Sequence, residues 1–93
     1  MEKIEIDGKL LTGYAIPTAH SCVLLVTAAR GFLGCGYFSL ATAEKTGDAL
    51  AVVTGVKNFD EMLAATVKAV SPAAAALGVT TGMTGREALL KLA

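Results

Sequence analysis

Hydrophobic positions change period along this chain, and the changes mark its elements. Ile4 and Ile6 alternate with Lys3, Glu5 and Asp7, the period-two pattern of a strand with one wet face. Asp7-Gly8 is a two-residue hairpin signal, which makes Lys9 to Ile16 the return strand. Pro17 ends it, because proline cannot donate to a ladder. Val23 to Thr27 is apolar at nearly every position and reads as a strand covered on both faces. Ala29-Arg30-Gly31 turns it back into a partner strand that carries Gly34 and Gly36 on one face. Such a glycine pair leaves a shallow groove that a helix, a second subunit or a ligand can approach closely.

After Phe38 the period becomes helical. Ser39 caps a short helix over Leu40 to Lys45, with Gly47 as its stop. Leu50 to Val56 is another buried strand. Asn58 opens a second helix with Glu61 as capping-box partner, and Phe59, Met62, Leu63, Thr66, Val67 and Val70 predict one helix over 59–70. Ser71-Pro72 starts a short helix of alanines that stops at Gly78. Thr84-Gly85-Arg86-Glu87 is a second capping box, opening a C-terminal helix with Ala88, Leu89 and Leu92 inward. The sum is an α+β fold in one domain over residues 1–93. Its mostly antiparallel sheet has about five strands, two N-terminal hairpins plus one strand, packed with three or four short helices.

Composition adds a surplus of apolar surface. Apolar residues make up 54% of the chain against an ordinary 45–50% or so. A chain of 93 residues buries only about two-thirds of its unfolded surface. Self-association is the simplest outlet, so a homo-oligomer, most simply a dimer, is expected. Eight basic and eight acidic side chains give no basic face for nucleic acid. The longest uncharged run, Leu10 to Ala29, contains Gly13, Pro17 and His20, which spoils it as a membrane span. The first residues, Met-Glu-Lys-Ile-Glu, are unlike a signal peptide, and a cytoplasmic protein is expected.

Chemistry-bearing residues are few. With the central hairpin turning at 29–32, Val26 faces Cys35 and Cys22 sits four residues further along, so two reduced thiols are expected. Cys35, between two glycines, reads first as a small packed hydrophobe. As a nucleophile it needs a base, and the only histidine, His20, falls far along the ladder. His20 and Cys22 share a strand face but are too few for a closed metal site, so neither metal nor cofactor is expected. At Thr84-Gly85-Arg86 the plain reading is helix initiation. The sharper one is an anion site of free amides and a guanidinium.

Gly82-Met83-Thr84-Gly85-Arg86-Glu87, followed by Ala88-Leu89-Leu90-Lys91-Leu92, resembles the end of the YunC-like family, a bacterial and archaeal domain of unknown function (DUF1805). Cys35-Gly36, Gly55-Val56, Asp60, Leu63 and Ala76-Leu77-Gly78 fit the same pattern, so the likeness spans residues 30–93. Members carry a proline near the position of Thr66, so the resemblance implies a helix boundary inside the 59–70 stripe. It implies a fold and no activity. Two function classes follow. One is an oligomeric binding or regulatory module for a small anion or a protein partner, using Cys35, Gly36, Thr84, Gly85 and Arg86. The other is an enzyme whose site is assembled across subunits around Cys35 and Arg86.

Overall fold

Asp7 and Gly8 both take positive φ, 49° and 81°, the paired left-handed residues of a type I′ turn. They join β1 (Glu2–Ile6) to β2 (Lys9–Pro17) in the computed structural model, which describes residues 1–93. Four more strands follow: β3 (Cys22–Thr27), β4 (Phe32–Gly34), β5 (Leu50–Val52) and β6 (Ala69–Val70). They form one sheet in chain order, β1 to β6. Every neighbouring pair is antiparallel except β4 and β5, whose parallel pairing requires a crossover through helix α1 (Leu40–Thr46). Helices α2 (Phe59–Ala64), α3 (Pro72–Ala76) and α4 (Gly85–Leu92) complete the chain.

One face of the sheet carries the main core. Ile6, Leu24, Val26, Leu33 and Ala51 meet Met62 of α2 and Leu89 and Leu92 of α4 in a single apolar cluster. On the other face α1 covers only β4 and β5, where Ala43 packs on Leu50 and Val52. Over β1 to β3 that face stays open. No helix of the chain is long and apolar enough to cross a membrane.

The capped helices form where the caps predict. Ser39, Asn58, Ser71 and Thr84 each accept a hydrogen bond from the amide three residues on. Glu61 differs in one detail: its carboxylate accepts from the Lys57 amide at 2.7 Å, one residue before the cap.

Three expectations change. The helix predicted over 59–70 stops at Ala64, because Ala65 takes an extended ψ of 151°. Beyond it the backbone joins the sheet side of the core: Val67 N–H donates to Met83 O at 2.7 Å and Lys68 N–H to Val52 O at 2.8 Å. Ala69–Val70 is thus the sixth strand, and the boundary lies beside Thr66, as the resemblance implied. The strand expected at 50–56 is three residues long. The central hairpin closes one turn position earlier, with Ala28 N–H donating to Gly31 O at 2.8 Å. Val26 therefore faces Leu33, and Leu24 rather than Val26 lies level with Cys35. A shift by two keeps every side chain on its face. Both cysteines are free, as the reading of two reduced thiols requires.

Candidate functional site

Gly34 ends β4 for a packing reason. A Cβ at Gly34 would lie 2.6 Å from Cδ2 of Phe38, so this side of the glycine pair is occupied by the chain's own ring. Phe38 also meets Phe32 edge-on, with centroids 5.5 Å apart. To bring the ring there, residues 35–38 turn out of the sheet, with Phe38 N–H donating to Cys35 O at 3.1 Å. The groove expected along both glycines is accordingly filled at Gly34 and remains open only at Gly36, whose Cβ would meet nothing nearer than Thr54 Cγ2 at 3.7 Å.

The turn leaves a gap in the ladder. Cys35 still pairs with Leu24, donating its amide to Leu24 O at 3.1 Å, but its sulfur accepts the Leu24 N–H at 3.3 Å in place of a carbonyl. Backbone groups alternate direction along a strand, so Cys22 N–H and C=O point the same way as those of Leu24. They pass the end of β4. On the far side, Thr54, Gly55 and Val56 make no backbone–backbone hydrogen bond. Where β4 stops, a slot opens in the sheet between Ser21-Cys22 and Gly55-Val56.

Two adjoining cavities fill this slot. The inner one, of about 270 Å³, has Ser21 and Cys22 on one wall, Gly55 and Val56 on the other, and Cys35, Gly36 and Tyr37 at the end. The outer one, of about 220 Å³, shares Ser21, Cys22 and Val56 and adds His20 and Lys57. No carboxylate lines either, and Lys57 has no ion-pair partner. His20 and Cys22 lack a third His, Cys, Asp or Glu placed to complete a metal site. A further hollow beside α1, which shares Tyr37 with the inner cavity, is floored by Phe32, Phe38 and Leu50 and contains none of the candidate site residues.

The structure divides those residues. Cys35 and Gly36 line the slot; Thr84, Gly85 and Arg86 do not. Arg86 pairs with Asp7 at the tip of the first hairpin. Gly85 N–H donates to Ala65 O at 2.9 Å, and Glu87 N–H to Thr84 Oγ1 at 3.2 Å. Thr84 N–H in turn donates to Glu87 Oε1 at 3.0 Å. The start of α4 is thus a closed capping box, with the Arg86 amide alone left over, and Cys35 and Arg86 share no cavity. Lys57 had no local signal, because it joins the site only through the break in β4.

A domain-family model described as "Domain of unknown function (DUF1805)" matches residues 34–92. The chain belongs to the DUF1805 family. The uncharacterized protein YunC of Bacillus subtilis (strain 168) is a relative of this DUF1805 chain, 31% identical over an alignment of 93 positions that covers 96% of this chain and 92% of YunC. The crystal structure of TA1206, a protein of unknown function from Thermoplasma acidophilum, shares the DUF1805 fold with a TM-score of 0.94. It is 33% identical and covers 99% of this chain and 90% of its own.

For the capping box of this DUF1805 chain, Thr84→Ala is expected to lower stability by about 1 kcal/mol. The Thr84 amide, and then its hydroxyl, donate to the Glu87 carboxylate and hold it below the usual glutamate range. A depressed folded pKa stabilises above the ordinary value and stops doing so as pH falls through the folded one. The gap between wild type and variant should therefore narrow in acid. Urea midpoints at neutral and acidic pH test this, and an equal gap at both would refute the hydroxyl's share in holding Glu87, since the alanine variant keeps the backbone amide.

Proposed function

We propose that this chain is a small binding module whose ligand lies in the slot beside Cys22 and carries a negative group toward Lys57 and His20. The observation that carries the reading is the make-up of the walls. A lysine and a histidine stand at the outer end, no carboxylate lines the slot, and the main chain of Cys22 faces inward. Lys57 takes the anion-holding role that the sequence assigns to Arg86. Each cavity alone, about 270 and 220 Å³, falls short of the roughly 300 Å³ at which ligand pockets begin, so the ligand is taken to span both.

Cys22 lines both cavities and serves as an internal probe. Iodoacetate and iodoacetamide alkylate thiols alike but differ in charge. Their rate ratio at Cys22, located by mass spectrometry, should exceed the ratio for glutathione several-fold, because Lys57 raises the local anion concentration. Lys57→Ala should remove the excess. A ratio equal to that of glutathione and indifferent to Lys57 rejects the reading.

We further propose that the module works as a dimer joined through the open sheet face, with a second copy as the occupant. Leu10 and Ile16 are 62% and 56% exposed there, and Tyr14 and Leu25 on the same face belong to neither core cluster. Lys3 and Glu5 border them, and a two-fold axis sets each against the other's partner. This face replaces the glycine stripe as the contact, since Phe38 covers Gly34. Light scattering at micromolar concentration should give twice the chain mass of 9.4 kDa, and Leu25→Asp should halve it. A single-chain mass for the wild type refutes association.

A further inference from the structure

We propose that the occupant of the slot is an extended peptide, which replaces the absent continuation of β4 and sets an acidic side chain between His20 and Lys57. The proposal rests on the binding reading above and names its ligand class. Its first support is hydrogen-bond stoichiometry. A small anion accepts hydrogen bonds and donates none, so it satisfies Cys22 N–H and leaves Cys22 C=O without a donor. A peptide residue opposite Cys22 offers both an N–H and a C=O. The position also suits a bonded pair, because Leu24 holds such a position opposite Cys35, with the sulfur in place of one carbonyl, and Cys22 is two residues further on.

The second support is that the edge is held ready. Thr18 N–H donates to Ser21 O and Ser21 N–H to Thr18 Oγ1, both at 2.9 Å, so the residues leading into Cys22 are fixed before anything binds. Preorganisation of this kind lowers the ordering cost of strand addition. Gly36 has no side chain to obstruct the inner end, and a Cβ there would have room to spare.

Register and charge then specify the peptide. Running in the direction of β4, antiparallel to β3, its first residue lies opposite Cys22 and the next two pass the bend at Ser21 and His20, about 10 Å of extended chain in all. The third residue reaches the outer cavity, where Lys57 stands across from His20. Both side chains line this one cavity, so an aspartate or glutamate at the third position meets both. A free carboxylate at the peptide's own C-terminus satisfies the same pair. The internal acidic residue is the form proposed, because its side chain reaches the cavity that His20 and Lys57 both line while its main chain keeps the direction of the strand.

The test uses acetyl-Val-Thr-Glu N-methylamide with the intact protein. NMR titration should show binding, and amide exchange at Cys22 should slow by about tenfold or more, the signature of a new main-chain hydrogen bond. Methylating the valine nitrogen should weaken binding by about tenfold, the worth of roughly one hydrogen bond. Replacing the glutamate by glutamine and Lys57 by Ala should each weaken binding, and the two should not add. Peptide that binds without protecting the Cys22 amide, or that tolerates N-methylation, overturns strand insertion. A charge-dependent iodoacetate ratio without peptide binding overturns the peptide and leaves the anion site standing. Loss of both removes the two readings together.

Discussion

Replacing Gly85 with alanine is expected to cost about 3 kcal/mol or more, although alanine is the better helix former. Gly85 opens α4 and is buried against the end of α2. A Cβ there would overlap the Met62 carbonyl oxygen and stand 2.9 Å from Leu33 Cδ2. The first obstacle is backbone, which no rotamer change can relieve, so one helix must move off the other and loosen the core around Met62 and Leu89. Overpacking ordinarily costs about 1–3 kcal/mol, and a backbone clash sits at the top of that range or beyond it. The propensity gain that opposes it is at most about 1 kcal/mol. Gly36→Ala is the matched control, near neutral because its Cβ has space. Urea denaturation of both variants decides the point, and a Gly85 variant as stable as the wild type would mean that α2 and α4 pack differently.

Ser71→Ala should be the second severe change, again about 3 kcal/mol. Ser71 is the one fully buried polar residue. Its hydroxyl accepts from Leu50 N–H at 2.9 Å and Ala74 N–H at 3.3 Å, and donates to Asp48 O at 2.8 Å. One side chain thereby ties the entry of β5 to the start of α3. Alanine removes an N-cap, worth about 1 kcal/mol, and also strands a donor and an acceptor away from water at about 1–3 kcal/mol each, not fully additive. The loss should thus exceed that of Thr84→Ala, an exposed cap, by a clear margin. Equal midpoints for these two variants would show that water reaches the Ser71 site.

The contrast between those two caps marks what a sequence displays. Thr84 and Ser71 announce themselves identically, each before a helix, and nothing local distinguishes the exposed cap from the buried staple. The Asp7-Gly8 turn, the four caps and the two N-terminal hairpins were legible because each is decided within a few residues. The end of α2 was harder. Phe59, Met62 and Leu63 line the buried side of the helix, and Val67 continues inward as extended chain, so both conformations produce the same stripe. The β-branched residues Thr66, Val67 and Val70 were the available warning. Of the candidate site, Cys35 and Gly36 were readable as an unusual pair. The pairing of Arg86 with Asp7, 79 residues apart in the chain, was not, and it holds Arg86 away from the slot.

The two-walled slot also bears on self-assembly into fibrils. An outer sheet edge grows without limit, because each strand added exposes a fresh edge, and this is the route to cross-β aggregation. Both outer edges here are poor templates. β1 presents exposed Glu2, Lys3 and Glu5, and β6 is two residues long and stands next to Ser71-Pro72. The gap at the end of β4 is different, since a strand entering it meets a wall on its other side. It can take one strand and then offers no further edge. Unpaired backbone at Cys22 is thus held where it can be used once and cannot propagate.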